Sequence, residues 1–588
     1  MIQMEKWVVI NKKADFNEMG KRFGISPVTA RLIRNRDIVT EKAVSNYLNG
    51  TIKDLNNPHL LKDVDYLCTI LKEKIESGKK IRIIGDYDID GVMATYILYK
   101  GLKRVGAHVS TMIPDRMKDG YGVNEHLIEQ ADSDGIDTII TCDNGIAAIS
   151  EIAYAKKLGM TVLVTDHHEI PYEETNGEKH FLRSEADVIV NPKQEDCNYP
   201  FKGLCGAAVA WKVIQVLYEV YGLMAEESYE FLENVAFATV GDVMDLVEEN
   251  RILVKEGLKR IQRTQNVGMR ALILQNNLEL QRINAYHFGF VLGPCINASG
   301  RLDTARISLQ LFLEEDAQKA EAIAKELVNL NVQRKDMTAE GVELAKTLVE
   351  KEYKKDKVLV VYLPETHESL AGIIAGRIRE TYHKPVFVMT NAEDGIKGSG
   401  RSIEEYSMYE ELCKCKELFT KFGGHLMAAG LSLPAENLEE FRRRINEECI
   451  LTEEDFIPKI KIDIAMPVGY PNTSLIRELD LLEPFGKSNT KPQFADKDLK
   501  IKRASIVGKN RNVLRLQLET QNGETVSAVY FGDVEEFLNY YSDKFGETEV
   551  EAALSGKKNK ILLQIVYYPE INSYNEIENV QIVIRNYR

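Results

Sequence analysis

The stretch Gly85-Asp86-Tyr87-Asp88-Ile89-Asp90-Gly91 constrains this chain more than any other. It follows the apolar run Ile81-Arg82-Ile83-Ile84 and precedes a helical pattern from Val92 to Arg104, so it reads as the turn of a strand, turn, helix unit. In an open α/β sheet such a turn lies at the carboxyl ends of the strands, where ligands bind. Three carboxylates at alternate positions repel one another, and some must take up protons unless cations lie between them. Aspartate is a hard oxygen donor, so the implied cation is Mg²⁺ or Mn²⁺. An acidic loop that only caps a helix is the competing account, and the rest of the chain has to decide.

Other polar clusters recur in the same position. Ala107 to Ile113 is a strand candidate ending in Pro114-Asp115-Arg116, with the loop Asp119-Gly120-Tyr121-Gly122 beyond it. Asp137 to Cys142 runs into Asp143-Asn144-Gly145, Thr161 to Thr165 into Asp166-His167-His168, and Asp187 to Val190 into Asn191-Pro192. Strands alternating with helical segments predict βαβ units and a parallel sheet, and each cluster follows its strand, so all gather along one edge. Farther on, Asp242 closes the apolar stretch Phe237 to Val240, and Gly293 to Arg301 reads as a small-residue loop ending in arginine.

A chain of 588 residues holds about three or four domains. The expected layout is a mainly helical lead-in over 1–60, the parallel-sheet domain over 61–315, a long connecting helix over 316–355, a smaller α/β domain over 356–455 and a β module over 456–588. In the smaller domain, the loop Lys397-Gly398-Ser399-Gly400-Arg401-Ser402 and the segment Phe422-Gly423-Gly424-His425 set glycines beside Ser, Arg and His. Backbones that approach an anion closely have that composition. After residue 456 the pattern turns to short alternating strands, with seven basic residues and one acidic between Lys497 and Arg515. That suggests an OB-type barrel with a basic stripe. Tyr530, Phe531, Tyr567 and Tyr568 are candidates to stack on bases there, with strand core as the alternative.

The net charge of −15 argues against indiscriminate nucleic-acid binding but leaves room for a local groove. No apolar run approaches the roughly 18 residues that span a bilayer, and the first residues lack a signal-peptide core. Eight scattered cysteines without CxxC or zinc-ligand spacing point to reduced thiols in a cytoplasmic protein.

Taken in order, the Gly85 to Gly91 turn, Asp143-Asn144-Gly145, Asp166-His167-His168, Asp242 and Gly423-Gly424-His425 resemble the DHH phosphoesterase superfamily. With the OB-like tail, nearly the whole chain is similar to that superfamily's single-strand-specific 5′ to 3′ exonucleases. The resemblance implies that Asp88 and Asp143, helped by Asp86, hold one divalent ion. It implies a second ion on Asp90, Asp143, His167 and Asp242, with Asp143 bridging and His168 facing the scissile phosphate. Arg116, Arg301, Ser399 and Arg401 would bind a terminal 5′-phosphate, and His425 a further phosphate or nucleotide. Many members carry His where this chain has Ile84, which leaves the first ion more weakly held or dependent on Asp86 and water.

The resemblance also implies two Mn²⁺ or Mg²⁺ ions as cofactors, single-stranded DNA as substrate and a setting in DNA repair and recombination. A helicase and a single-strand-binding protein are the candidate partners of a monomeric enzyme. Two divalent ions about 4 Å apart suit the chemistry, because they activate a water and stabilise both the attacking and the leaving oxygen. One rival is a relative acting on short oligonucleotides or cyclic dinucleotides, and the long C-terminal module argues against it. The other is a non-catalytic DNA-binding relative, against which the intact Asp88, Asp90, Asp143, His167 and Asp242 argue.

Overall fold

A computed structural model describes residues 5–116, 122–175, 178–392, 395–508, 510–574 and 577–588; the loop expected at 119–121 lies outside the described residues. The chain divides into two compact units, 51–456 and 1–50 together with 457–588. Among the described residues no helix is long and apolar enough to cross a membrane.

Five parallel strands organise the first part of unit 51–456. Their order is His108–Met112, Lys80–Ile84, Thr138–Cys142, Thr161–Thr165 and Val188–Val190. The first strand in sequence therefore has the second on one side and the third on the other. That reversal is a topological switch point, where the chain ends of Lys80–Ile84 and Thr138–Cys142 open a crevice. Both faces of the sheet are covered: Ile81 and Ile83 pack with Val92, Ile97 and Trp211, while Ile84 and Ile139 pack with Leu127 and Ile152. A sheet buried on both faces explains why its strands read as continuous apolar runs.

Gly293 to Arg301, expected as a loop, is the helix Gly293–Leu302 with Pro294 in its first turn. It continues directly from the π turn Phe288–Leu292, whose last bond runs from the Gly293 amide to the Phe288 carbonyl. The small residues serve contact rather than turning: a Cβ on Gly300 would stand 2.4 Å from the Tyr87 carbonyl oxygen. The helix thus lies directly against the acidic turn.

The connecting helix runs over Ala317–Leu348 and ends in a π turn, Val349–Tyr353. Beyond it, a mixed sheet has the order Lys421–Gly424, Ala428–Leu433, Gly395–Arg401, Val386–Ala392, Leu359–Tyr362. The stretch 397–402, also expected as a loop, is mostly the strand Gly395–Arg401, paired on both sides. Its glycines make room for the neighbouring strand. A Cβ would stand 2.3 Å from Met389 Sδ at Gly398 and 2.7 Å from the Phe387 ring at Gly400. Strand alternation then puts Ser399 and Arg401 together on the opposite face.

In the other unit, Phe494–Val507, Val513–Glu519, Thr525–Phe531, Ile577–Tyr587 and Leu562–Tyr574 pair in that order and close on themselves through the last and first strands. This is a five-stranded barrel. Residues 1–50, expected as part of a separate helical lead-in over 1–60, group with this unit. Lys6–Val9 pairs in parallel with Lys459–Ile462, and Ala30, Leu32 and Ile33 share a core with Phe494, Leu514 and Phe537. Tyr567 and Tyr568 are buried in that core and are not available to bases, whereas Phe531 is 62% exposed. Of the basic stripe, Lys497, Lys500, Lys502, Arg503, Arg511 and Arg515 are exposed.

Leu32→Ala is expected to cost this unit about 2–5 kcal/mol, the usual penalty for truncating a fully buried leucine. Hydrogen exchange should then quicken in Phe494–Val507 and Val513–Glu519 but not in Lys80–Ile84; unchanged protection in the barrel would show that the N-terminal helices contribute nothing to its core.

Candidate metal centre

The acidic turn both caps a helix and faces a neighbouring strand end. Asp88 is the N-cap of the helix Ile89–Arg104, its Oδ1 accepting from the amides of Asp90 and Gly91 at 2.9 and 3.1 Å. Asp90 lies in the first turn, and its two carboxylate oxygens accept from the amides of Gly206 and Ala207 at 2.6 and 2.7 Å. Those amides open the helix Gly206–Val220, whose positive end favours the charge. Asn297 anchors the turn from outside, its Oδ1 accepting from the Ile89 amide at 2.8 Å.

Asp143 comes from the next strand, in a left-handed conformation with φ of 61°. Aspartate tolerates that region better than most residues do. Asn144 supports the turn by donating to the carbonyls of Ile84 and Cys142 at 3.3 and 3.1 Å. Gly206 lets the neighbouring helix come close, since a Cβ there would stand 2.6 Å from Asp143 Cβ.

His167 and His168 follow the fourth strand and are shaped by Asp166. One Asp166 oxygen accepts from the amides of His167 and His168 at 2.7 and 3.0 Å and lies 2.8 Å from His168 Nδ1. The other accepts from the Ile146 amide at 2.9 Å. Asp166 therefore orients the histidines and is not itself turned toward the cluster. His167 Nε2 stands 2.9 Å from Asp143 Oδ1, 3.5 Å from Asp90 Oδ2 and 3.9 Å from Asp242 Oδ2. Asp242 is at the C-cap of the helix Leu232–Gly241. A carboxylate opposes the helix dipole there, so its position demands a positive neighbour.

Three overlapping sets of donors result. Ligand atoms of Asp86, Asp88 and Asp143 lie within 4.8 Å of one another, as do those of Asp90, His167 and Asp242, and those of Asp143, His167 and His168. Ile84 is fully buried in an apolar cluster and offers no ligand. Burial and the Asp88 charge push Asp86 well above the ordinary carboxylate range. Burial, with Asp90, Asp88 and Asp86, does the same to Asp143, and burial with Asp90 raises Asp88. Burial also lowers His167, keeping its imidazole neutral, the form that binds metals. For His168, burial works downward but is outweighed by the hydrogen bond to Asp166 and by the Asp166, Asp242 and Asp90 charges, which lift it to about 9. Asp86 Oδ1 is buried with no hydrogen-bond donor. A buried carboxylate oxygen without a partner is costly, and hard divalent cations fit this donor set.

A second cluster is cationic. Arg301 lies in the last turn of the helix Gly293–Leu302 and donates from Nη1 to the Ser369 carbonyl at 2.5 Å. Burial and the charges of Arg116, Arg334 and Arg401 bring it down to about 10. Arg401 Nη1 donates to Ser399 Oγ at 3.2 Å, and the Arg116 guanidinium stands 5.0 Å from the Tyr87 ring centre. Gly372 keeps this corner open: a Cβ there would stand 2.8 Å from both Arg401 Nη2 and Ser399 Oγ. His425 is exposed in the turn after Lys421–Gly424, its amide donating to the Ala428 carbonyl at 2.8 Å.

Sequence alone assigns no role to Asp166, Asn297, Gly206, Gly372 or Arg334. Gly206 heads a small-residue helix start, a signal of close approach, whereas nothing separates Arg334 from the other charges of its long helix.

Three family models match the chain: DHH family, N-terminal domain, over 80–239; DHHA1 domain over 355–450; and RecJ OB domain over 462–586. The single-stranded-DNA-specific exonuclease RecJ of Bacillus subtilis is 32% identical over 586 residues, 99% of this chain and 70% of that protein. The Escherichia coli protein of the same name is 31% identical over 589 residues, 96% of each chain. Among solved structures, RecJ in complex with Mn²⁺ from Thermus thermophilus matches with a TM-score of 0.80 at 26% identity, covering 99% of this chain and 79% of that one. A RecJ complex with Mg²⁺ from the same organism gives 0.74 at 25% identity, covering 99% and 78%.

A divalent ion that binds only the folded chain raises its stability, by about 2.7 kcal/mol at a hundredfold excess over Kd. Mn²⁺ is therefore expected to raise the melting temperature of the wild type, and Asp143→Ala and Gly206→Ala to lose most of that rise. An equal rise in all three proteins would remove Asp143 from the metal centre.

Proposed function

The chain belongs to the RecJ family of single-stranded-DNA-specific exonucleases, and from that membership and the carboxylate geometry we infer a metal-dependent enzyme hydrolysing single-stranded DNA from its 5′ end to 5′-mononucleotides. The carrying observation is that Asp143 stands within ligand distance both of Asp86 and Asp88 and of His167. We assign one ion to Asp86, Asp88 and Asp143, and the other to Asp90, Asp143, His167 and Asp242. Divalent ions held there supply an activated water at neutral pH and offset charge on the phosphodiester. Asp143 would hold the two sites in register, and Asp166 would aim His168 at a phosphate oxygen.

Water attacks the phosphate that joins the first two nucleotides, and the 3′-oxygen of the first leaves. Arg116, Arg301, Ser399 and Arg401 would receive the terminal 5′-phosphate. The repulsion that Arg116 and Arg401 exert on Arg301 supports that role, because an anion offsets several positive charges at once. His425 would contact a phosphate or nucleotide from the smaller domain. We assign catalysis to 61–315, the connecting helix to 316–355, substrate binding to 356–455 and further strand binding to 456–588. The same reading makes the protein a cytoplasmic monomer serving DNA repair and recombination beside a helicase and a single-strand-binding protein.

The direct test is digestion of 5′-labelled single-stranded DNA, duplex DNA and short RNA with Mn²⁺ or Mg²⁺. Wild type should release labelled mononucleotides from single strands, and the folded Asp143→Ala variant should release none. Losing one charged hydrogen bond costs about 1.5–3 kcal/mol. Arg401→Ala should accordingly lose about ten- to a hundredfold in kcat/KM on 5′-phosphorylated strands and little on 5′-hydroxyl strands; equal losses on both would show that Arg401 does not read the end.

A further inference from the structure

Beside the metal centre the surface carries apolar groups that the proposed chemistry leaves unused. Tyr286 and Phe290 are 62% and 69% exposed, and their rings stack with centres 5.1 Å apart and planes 25° from parallel. They flank Phe288, which is buried against Phe237 on the helix that ends at Asp242. The segment Phe288–Leu292 is a single π turn, a form that recurs at functional sites. Helices ordinarily turn aromatic residues toward a core, so a stacked pair in solvent asks for a partner.

The π turn that carries Phe290 packs on the helix that ends at Asp242. A Cβ on Gly289 would stand 3.4 Å from Val240 Cγ1, and the Val240 carbonyl accepts the amide of Val243 at 3.2 Å. Val243 directly follows Asp242, has φ of 56° and is 62% exposed. A β-branched residue in the left-handed region is a true outlier. Glycine would serve that turn without strain, so the structure keeps an apolar side chain in solvent where the backbone alone would favour none. Outliers of this kind gather at ligand contacts.

We propose that Tyr286, Phe290 and Val243 form a stacking platform for the bases of the DNA strand next to the phosphate at the metal centre. This rests on the single-strand exonuclease reading above. Bases fit the platform because every base offers a π face to an aromatic ring, whatever the sequence, and they are splayed only in single strands. Backbone phosphates alone would give no reason for rings here.

The experiment compares wild type, Tyr286→Ala/Phe290→Ala and Tyr286→Leu/Phe290→Leu on ordinary oligonucleotides and on oligonucleotides whose first several residues are abasic. Both double variants should melt within a few degrees of wild type, since the rings lie in solvent. On ordinary strands the alanine variant should raise KM about ten- to a hundredfold, the range expected for lost base stacking. Its kcat should stay within about twofold, and the leucine variant should recover only part. On abasic strands the three proteins should be alike. Val243→Gly should fold at least as stably as wild type yet raise KM on ordinary strands. Equal KM on ordinary strands, an equal loss on both substrates, or conversion of a dimer to a monomer by the alanine variant would each overturn the platform. Failure of wild type to degrade any single strand would instead remove the exonuclease reading, and the platform with it.

Discussion

Everything in the larger unit depends on carboxylates being held close together in a place that water does not reach. Asp86, Asp90 and Asp143 are nearly or wholly buried, and burial together with neighbouring carboxylates raises the cost of ionising Asp86 and Asp143. Left alone, that repulsion works against the fold. The chain meets it with fixed dipoles first: the amides of Gly206 and Ala207 take Asp90, and those of Asp90 and Gly91 take Asp88. Asp86 and Asp143 still stay well above the ordinary carboxylate range, a cost that divalent cations would offset.

The same close approach explains the glycines around the centre. Gly206 yields to Asp143, Gly300 to the Tyr87 carbonyl and Gly241 to Ile89, where a Cβ would stand 2.5 Å from the Ile89 side chain. Three helices can therefore crowd onto the metal centre. In the smaller domain Gly398 and Gly400 do the converse, giving space to Met389 and Phe387 so that Ser399 and Arg401 sit on one rigid strand face. A site on a paired strand is held more tightly than one on a loop, which suits arginines that must share one anion.

Much of this was legible in the order of residues. Apolar runs of β-branched residues mark the parallel strands, and the polar clusters after them mark their carboxyl ends, because that relation is local in the chain. The separation of Asp86, Asp88, Asp90, Asp143, His167 and Asp242 along the sequence already told of a metal centre assembled from several strand ends. The small-residue segments misled: Gly293 to Arg301 is a helix and 397–402 mostly a strand. Neither has a hydrophobic period to read, since their neighbours supply the bulk.

Tertiary structure decided which strand ends face each other. The sheet order puts Lys80–Ile84 beside Thr138–Cys142 at the point where the winding reverses, and only that pairing brings Asp143 to Asp86 and Asp88. It decided that Asp166 orients the histidines, that Arg334 joins Arg116, Arg301 and Arg401, and that the N-terminal helices share a core with the C-terminal barrel. Sequence determines the kind of donor each segment carries, because that is a property of the residue. Which donors meet is set by non-local pairing and burial, which no stretch of the chain encodes by itself.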